Sequence, residues 1–129
     1  MKKIIADTSI LLSQFEYGID LPSELLRINN GPASIVIPSV VMGELHMLAG
    51  GRGKRAAAAR FVLHNLEKMP PSLPVEEKES WGKADEWIIK YAQNNRVCVA
   101  TNDVALRRRL LALGVPVIAV KGKSKLDFV

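Results

Sequence analysis

The sequence predicts an α/β domain: a central, mainly parallel sheet of four to five strands with helices on both faces. Three observations predict it. The strand candidates "KKIIA", "ASIVI", "RVCVA" and "VPVIAV" are short, continuous Val/Ile-rich runs, the pattern of strands buried on both faces. Helical segments stand between them, and strands separated by helices pair in parallel. Clusters such as "NNGP", "AGGRG" and "MPPSLP" punctuate the alternation with turn residues.

Taken in order, "KKIIADTS" is the first strand, ending at an acid, Asp7. "ILLSQFEYG" continues as a helix or turn that Gly18 stops. "LPSELLRINNG" reads as a short helix, with Ser23 as its weaker cap candidate and "NNGP" as its terminating turn. "ASIVIP" is the second strand. Pro38 opens the helix "PSVVMGELHMLAGG", since proline is tolerated in a first turn and glycines close the end. "GGRGKR" is a flexible basic connector. It is not a phosphate-cradling loop, because no Ser or Thr follows Lys54 and the leading glycine is missing. "KRAAAARFVLHNLEKM" is helical by propensity. "PPSLPVEE" is a proline-rich connector with at most a short extended piece, and "EKESWGKADEWIIKYAQNN" reads as one further helix. "RVCVAT" is the third strand, "NDVALRRRLLALG" a helix closed by Gly114, and "VPVIAV" the fourth strand. The tail "KGKSKLDFV" is basic with an apolar end.

Composition narrows the class. With 129 residues, 48% of them apolar, the chain reads as one domain with a substantial core rather than a disordered segment. No apolar run approaches the roughly 20 residues that span a bilayer. "MKKII" has the basic flavour of a secretion signal, but Asp7 arrives too soon for its apolar region, which points to a cytoplasmic protein. The single cysteine, Cys98, forms no internal disulfide and no thiolate zinc site, and reads as a small core residue. A net charge of +5, from 18 Lys and Arg against 13 Asp and Glu, hints at a polyanionic partner.

The placement of the acids says more. In an open parallel sheet, ligands bind beyond the carboxyl ends of the strands. Asp7 follows the first strand and Asp103 follows "RVCVATN". Each also suits the cap of the helix behind it. Glu44 falls on a stripe with Val40, Val41 and Leu48, and Asp85 on one with Trp81, Ile88, Ile89 and Ala92. A carboxylate facing a core is costly unless paired, protonated or bound to a metal. Arg52, Lys54 and Lys83 are the candidate salt-bridge partners. Glu86 has Lys90 four residues on and reads as solvated. If the four acids share one rim, cations must neutralise them, and hard oxygen ligands select Mg²⁺ or Mn²⁺. His46 and His64 stand far apart and read as surface or packing residues. Metal-bound water attacking a phosphodiester needs no side-chain nucleophile. Arg52, Lys54, Arg55, Arg107 and Arg108 would then hold a nucleic-acid phosphate backbone without reading its bases. Arg109 is expected instead to lie across the helix surface.

"IIADTS", "PSVVMGEL", "ADEWIIKYA" and "VATNDVALRRRL…GVPVI" together resemble the PIN domain, a small metal-dependent ribonuclease module, over nearly the whole chain. The similarity is to small stand-alone archaeal proteins and to ribosomal-RNA processing factors. The resemblance implies a three-layer fold and an acidic metal site of Asp7, Glu44, Asp85 and Asp103. Ser9 and Thr101 would be supporting polar groups, and Mg²⁺ or Mn²⁺ the cofactor. It also implies RNA as substrate and a homodimer, with a small antitoxin as partner if the chain is a toxin. Toxin and processing roles both stay open, as does a PIN fold that binds RNA or protein without cutting. Two other phosphate-handling folds fit less well. A receiver domain wants paired acids after the first strand, and a haloacid-dehalogenase-type phosphatase wants Asp-x-Asp, whereas here Ala6 precedes Asp7 and "DTS" follows from it.

Overall fold

The computed structural model describes residues 2–129. Its strands are β1 (Lys2–Ala6), β2 (Ala33–Pro38), β3 (Val75–Lys78), β4 (Val97–Ala100), β5 (Val117–Lys121) and β6 (Lys125–Phe128). Its helices are α1 (Thr8–Glu16), α2 (Leu21–Asn29), α3 (Ser39–Ala49), α4 (Lys54–Leu66), α5 (Ala84–Asn94) and α6 (Val104–Ala112). One six-stranded sheet runs β3-β2-β1-β4-β5-β6, parallel throughout except for the antiparallel β5–β6 pair.

The strands are buried on both sides, as continuous apolar runs require. Side chains alternate between faces along a strand. Ile4 and Ala6 therefore join Ile35, Ile37, Cys98 and Ile118 in a core shared with α1, α2, α3 and α4. Ile5 joins Val36, Val97, Val99 and Val117 in a second core closed by α5 and α6. The result is the expected three layers.

The sheet exceeds the expected four to five strands because both edges are made from segments without a Val/Ile run. β3 comes from the proline-rich connector, as "VEEK" pairs in parallel with β2 at Ile35↔Val75. Its charged residues suit an edge, where bare backbone invites unwanted pairing. β6 comes from the basic tail. Gly122, at φ 68°, turns a short hairpin that pairs Lys121 with Lys125 and buries Leu126. Arg27 donates to the Leu126 carbonyl at 2.7 Å, and Glu24 accepts from its amide at 2.8 Å. At the far end of β6, Lys2 Nζ lies 5.6 Å from the centre of the Phe128 ring.

Two helix starts differ from expectation. Asp20, not Ser23, caps α2, accepting from the Ser23 amide at 3.2 Å. α5 begins only at Ala84, because its presumed first part supplies β3 and Gly82 (φ 74°) takes a left-handed turn. Trp81 therefore stands outside the helix and its apolar stripe. Among the described residues, no helix is long and apolar enough to cross a membrane.

Candidate active site at the switch point of the sheet

The chain leaves β1 toward β2 and β3, then crosses back to lay β4 on the other side of β1. Beyond the carboxyl ends of β1 and β4 this reversal opens a crevice, the place where open α/β sheets take their ligands. Asp7 emerges there from β1, and Thr101 to Asp103 emerge from β4.

Hydrogen bonds lace the two strand ends together. The Asp7 amide donates to the Ala100 carbonyl at 3.3 Å. Asp7 Oδ1 accepts from the Ile10 amide at 3.1 Å, capping α1, and from Ser9 Oγ at 2.7 Å. Thr101 Oγ1 donates to Asp7 Oδ2 and accepts from the Asp103 amide at 3.0 Å. Ser9 Oγ in turn accepts from the Asn102 amide at 2.9 Å. Asp103 caps α6 through Oδ1, 3.1 Å from the Leu106 amide. Both strand-end aspartates are thus helix caps.

Glu44 and Asp85 arrive from α3 and α5, whose approach one serine pair controls. α3 follows Pro38, which offers no side-chain cap. Ser80, just upstream of α5, fills that role: its Oγ accepts from the Val40 amide at 2.9 Å. Its own amide donates to Ser39 Oγ, also at 2.9 Å. Asp85 lies in the first turn of α5, where a helix end favours negative charge.

Asp7, Glu44, Asp85 and Asp103 all line one hollow of about 270 Å³. Their burial is unequal, with Asp7 buried, Asp85 half-buried, and Glu44 and Asp103 exposed. The expected core-facing stripe of α3 is therefore corrected: Val41 and Leu45 face the core, while Glu44 stands on the rim. Among the described residues, the ion pairs are Lys3–Glu76, Arg27–Glu24 and Arg109–Glu86, so no base is spent on the pocket acids. Arg109 has a definite partner rather than lying idle on the surface, and Glu86 pairs with it rather than with Lys90. Burial raises the Asp7 pKa, partly offset by hydrogen bonds from Thr101, Ser9 and the Ile10 amide. Burial also raises that of Asp85, with repulsion from Asp103, Glu86 and Glu44 adding to it and Arg109 opposing.

Of the five basic residues expected near an RNA backbone, Arg55 alone lines this hollow. Arg52, Lys54 and Arg108 are exposed elsewhere and Arg107 is half-buried. Glu16 is a further acid on the wall, unnoticed in the sequence. Its signal was present, since Thr8, Leu12 and Glu16 are four residues apart and share one face of α1.

Residues 4–123 match the family model described as a PIN like domain. The chain belongs to that family. Two archaeal relatives carry ribonuclease names. This PIN-like chain is 34% identical over 125 residues to Ribonuclease VapC4 of Methanocaldococcus jannaschii, covering 96% of this chain and 94% of that protein. It is 32% identical over 114 residues to Ribonuclease VapC9 of Archaeoglobus fulgidus, covering 88% and 78% respectively. Among solved structures, the PIN domain endonuclease Utp24 superposes with a TM-score of 0.78 at 24% identity, over 98% of this chain and 90% of that one. A domain of a functionally unknown protein from Methanocaldococcus jannaschii superposes at 0.73 with 19% identity, over 97% and 95%. The likeness to Utp24 confirms the PIN fold.

Proposed function

We propose that this chain is a divalent-metal-dependent ribonuclease, with Asp7, Glu44, Asp85 and Asp103 as its metal-binding and catalytic residues. One observation carries the reading: four carboxylates from four separate elements line one hollow at the sheet's switch point, and among the described residues no basic side chain is paired with any of them. The two relatives named as ribonucleases support RNA as the substrate.

The donor set suits the proposed ion. It offers only oxygen, which matches Mg²⁺ or Mn²⁺ and not zinc. Among the described residues, no three acidic, His or Cys side chains form a ready-made cage. Mg²⁺ needs none, since it commonly keeps several waters and takes only one or two carboxylates. When bound, the metal would supply an activated water and a counter-charge for the phosphate. The chain's own residues would do the rest. Ser9 and Thr101 hold the Asp7 carboxylate in one orientation, Asp85 and Glu44 close the acidic wall, and Arg55 offers a cation to a phosphate lying across the hollow. Arg52, Lys54, Arg107 and Arg108 would attract more distant stretches of backbone. A homodimer, and a small inhibitory protein if the chain acts as a toxin, belong to the same proposal, as does an RNA-processing role.

Labelled RNA incubated with the protein in Mn²⁺, Mg²⁺ or EDTA tests it. Cleavage is expected in metal, absent in EDTA, and lost by at least about a hundredfold in Asp7→Asn. Metal-independent cleavage, or an Asp7→Asn variant as active as wild type, would overturn the assignment. Retarded bands without any cleavage would make the chain a binding module.

A further inference from the structure

Both tryptophans of the chain stand beside the acidic pocket, outside the machinery described above. Trp81 is 73% exposed, an unusual position for so large an aromatic surface. It does not ride on a loose loop. Its neighbour Ser80 is latched to Ser39 and Val40, and Gly82 turns the chain immediately after it. On α5, Trp87 and Tyr91 are four residues apart and stack with ring centres 4.9 Å apart and planes 13° from parallel. Both pack against the α5–α6 core, which holds them rigid.

These three rings line a groove of about 380 Å³ together with Lys83, Lys90 and Glu86. Arg109 grips Glu86 through both terminal guanidinium nitrogens, Nη1 and Nη2, which leaves the groove's free charges positive. Asp85 lines the acidic hollow and its neighbour Glu86 lines the groove, so both flank the first turn of α5.

We propose that this groove is a subsite for single-stranded RNA, in which bases stack on Trp81 and on the outer faces of the Trp87–Tyr91 pair while Lys83 and Lys90 hold the backbone. The proposal rests on the ribonuclease reading, to which it adds the surface that grips the strand. Every base has a π-face, so an aromatic platform with flanking cations grips unpaired strands with little regard to sequence. A duplex keeps those faces stacked internally and offers them nothing. The lysines favour RNA over a protein occupant, because protein interfaces are depleted in lysine. Selection for unpaired RNA would thus come from a surface beside the reacting centre, not from the acids themselves.

Intrinsic fluorescence tests this directly, since both tryptophans of the chain lie in the groove. Wild-type protein in EDTA is titrated with an unpaired oligoribonucleotide of about ten residues, a length within known single-strand site sizes. Saturable quenching is expected, weakened by salt and much reduced for the same strand in a duplex. Trp81→Ala should weaken binding about tenfold or more, with Trp81→Phe recovering most of it. Lys83→Glu with Lys90→Glu should weaken it further and lessen its salt dependence. Wild-type affinity in Trp81→Ala would overturn the subsite, as would a change confined to self-association in sedimentation, which would make the groove a protein interface. The two readings fail separately. Binding without cleavage in metal sinks the nuclease and keeps the subsite, whereas cleavage with Trp81-independent binding does the reverse.

Discussion

Three donors converge on the Asp7 carboxylate, yet burial still holds its pKa above the ordinary aspartate value of 3.8. A carboxylate whose folded pKa is raised keeps its proton where the unfolded chain has lost it. Stability therefore falls as pH rises from about 3.8 through the folded value, and the penalty is complete above it. In metal-free buffer, Asp7→Asn should then melt higher than wild type at neutral pH, with the gap closing as the buffer is acidified. Asparagine keeps an oxygen for the Ile10 and Ser9 donors, so the cap survives the change. Thr101→Val probes the opposite direction, because it removes the donor to Oδ2 at nearly constant volume. Its loss should raise the Asp7 pKa further and move the acid limb of the pH–rate profile upward. It should also cost about 1–3 kcal/mol in thermal or urea unfolding. An acid limb that stays in place would mean that another group controls it. Asp7 and Asp103 were legible as strand-end acids because β1 and β4 are continuous apolar runs that stop beside them. Glu44 and Asp85 were legible by identity but not by environment. Helical spacing places a residue on a face without saying how far along the helix the neighbouring layer ends.

Ser80 caps a helix that begins 41 positions earlier in the chain. Losing such a cap typically costs about 0.5–2 kcal/mol. Ser80→Ala should lower the melting temperature accordingly. Because the same hydroxyl aligns α3 with the segment leading into α5, it should also depress cleavage more than an exposed-surface change of equal stability cost. Ser80→Thr should restore part of both. Equal losses of activity and stability in the surface control would show that the serine only stiffens the fold. This contact was invisible in the sequence, where caps are sought within a few residues of the helix they serve. The same locality hid β6 and left β3 as no more than a short extended piece of the connector. "VEEK" and "KLDF" carry no strand pattern of their own and become strands by completing the hydrogen bonds of β2 and β5. The helix "KRAAAARFVLHNL" was transparent by contrast, since its state follows from intrinsic propensity.

At the scale of the molecule, acids gather at one pole of a chain whose net charge is +5. A cation held only by the folded state stabilises it by mass action, about 2.7 kcal/mol at a hundredfold excess over Kd. Mg²⁺ or Mn²⁺ should therefore raise the melting temperature of the wild type, measured against EDTA, and raise it much less in Asp103→Asn or Glu44→Gln. Identical metal-induced shifts in all three proteins would place the ion elsewhere. The layer architecture and the order of the principal elements were open to reading because βα alternation admits few arrangements. How far the pocket opens was not, since it depends on side-chain reach across four elements.

The closeness of Lys2 to Phe128 has a practical bearing. β1 starts, and the antiparallel β6 finishes, at the base of the sheet, diametrically opposite Asp7. A tag, tether or fused partner attached at residue 2 or residue 128 would hang from that base and leave the acidic mouth unobstructed.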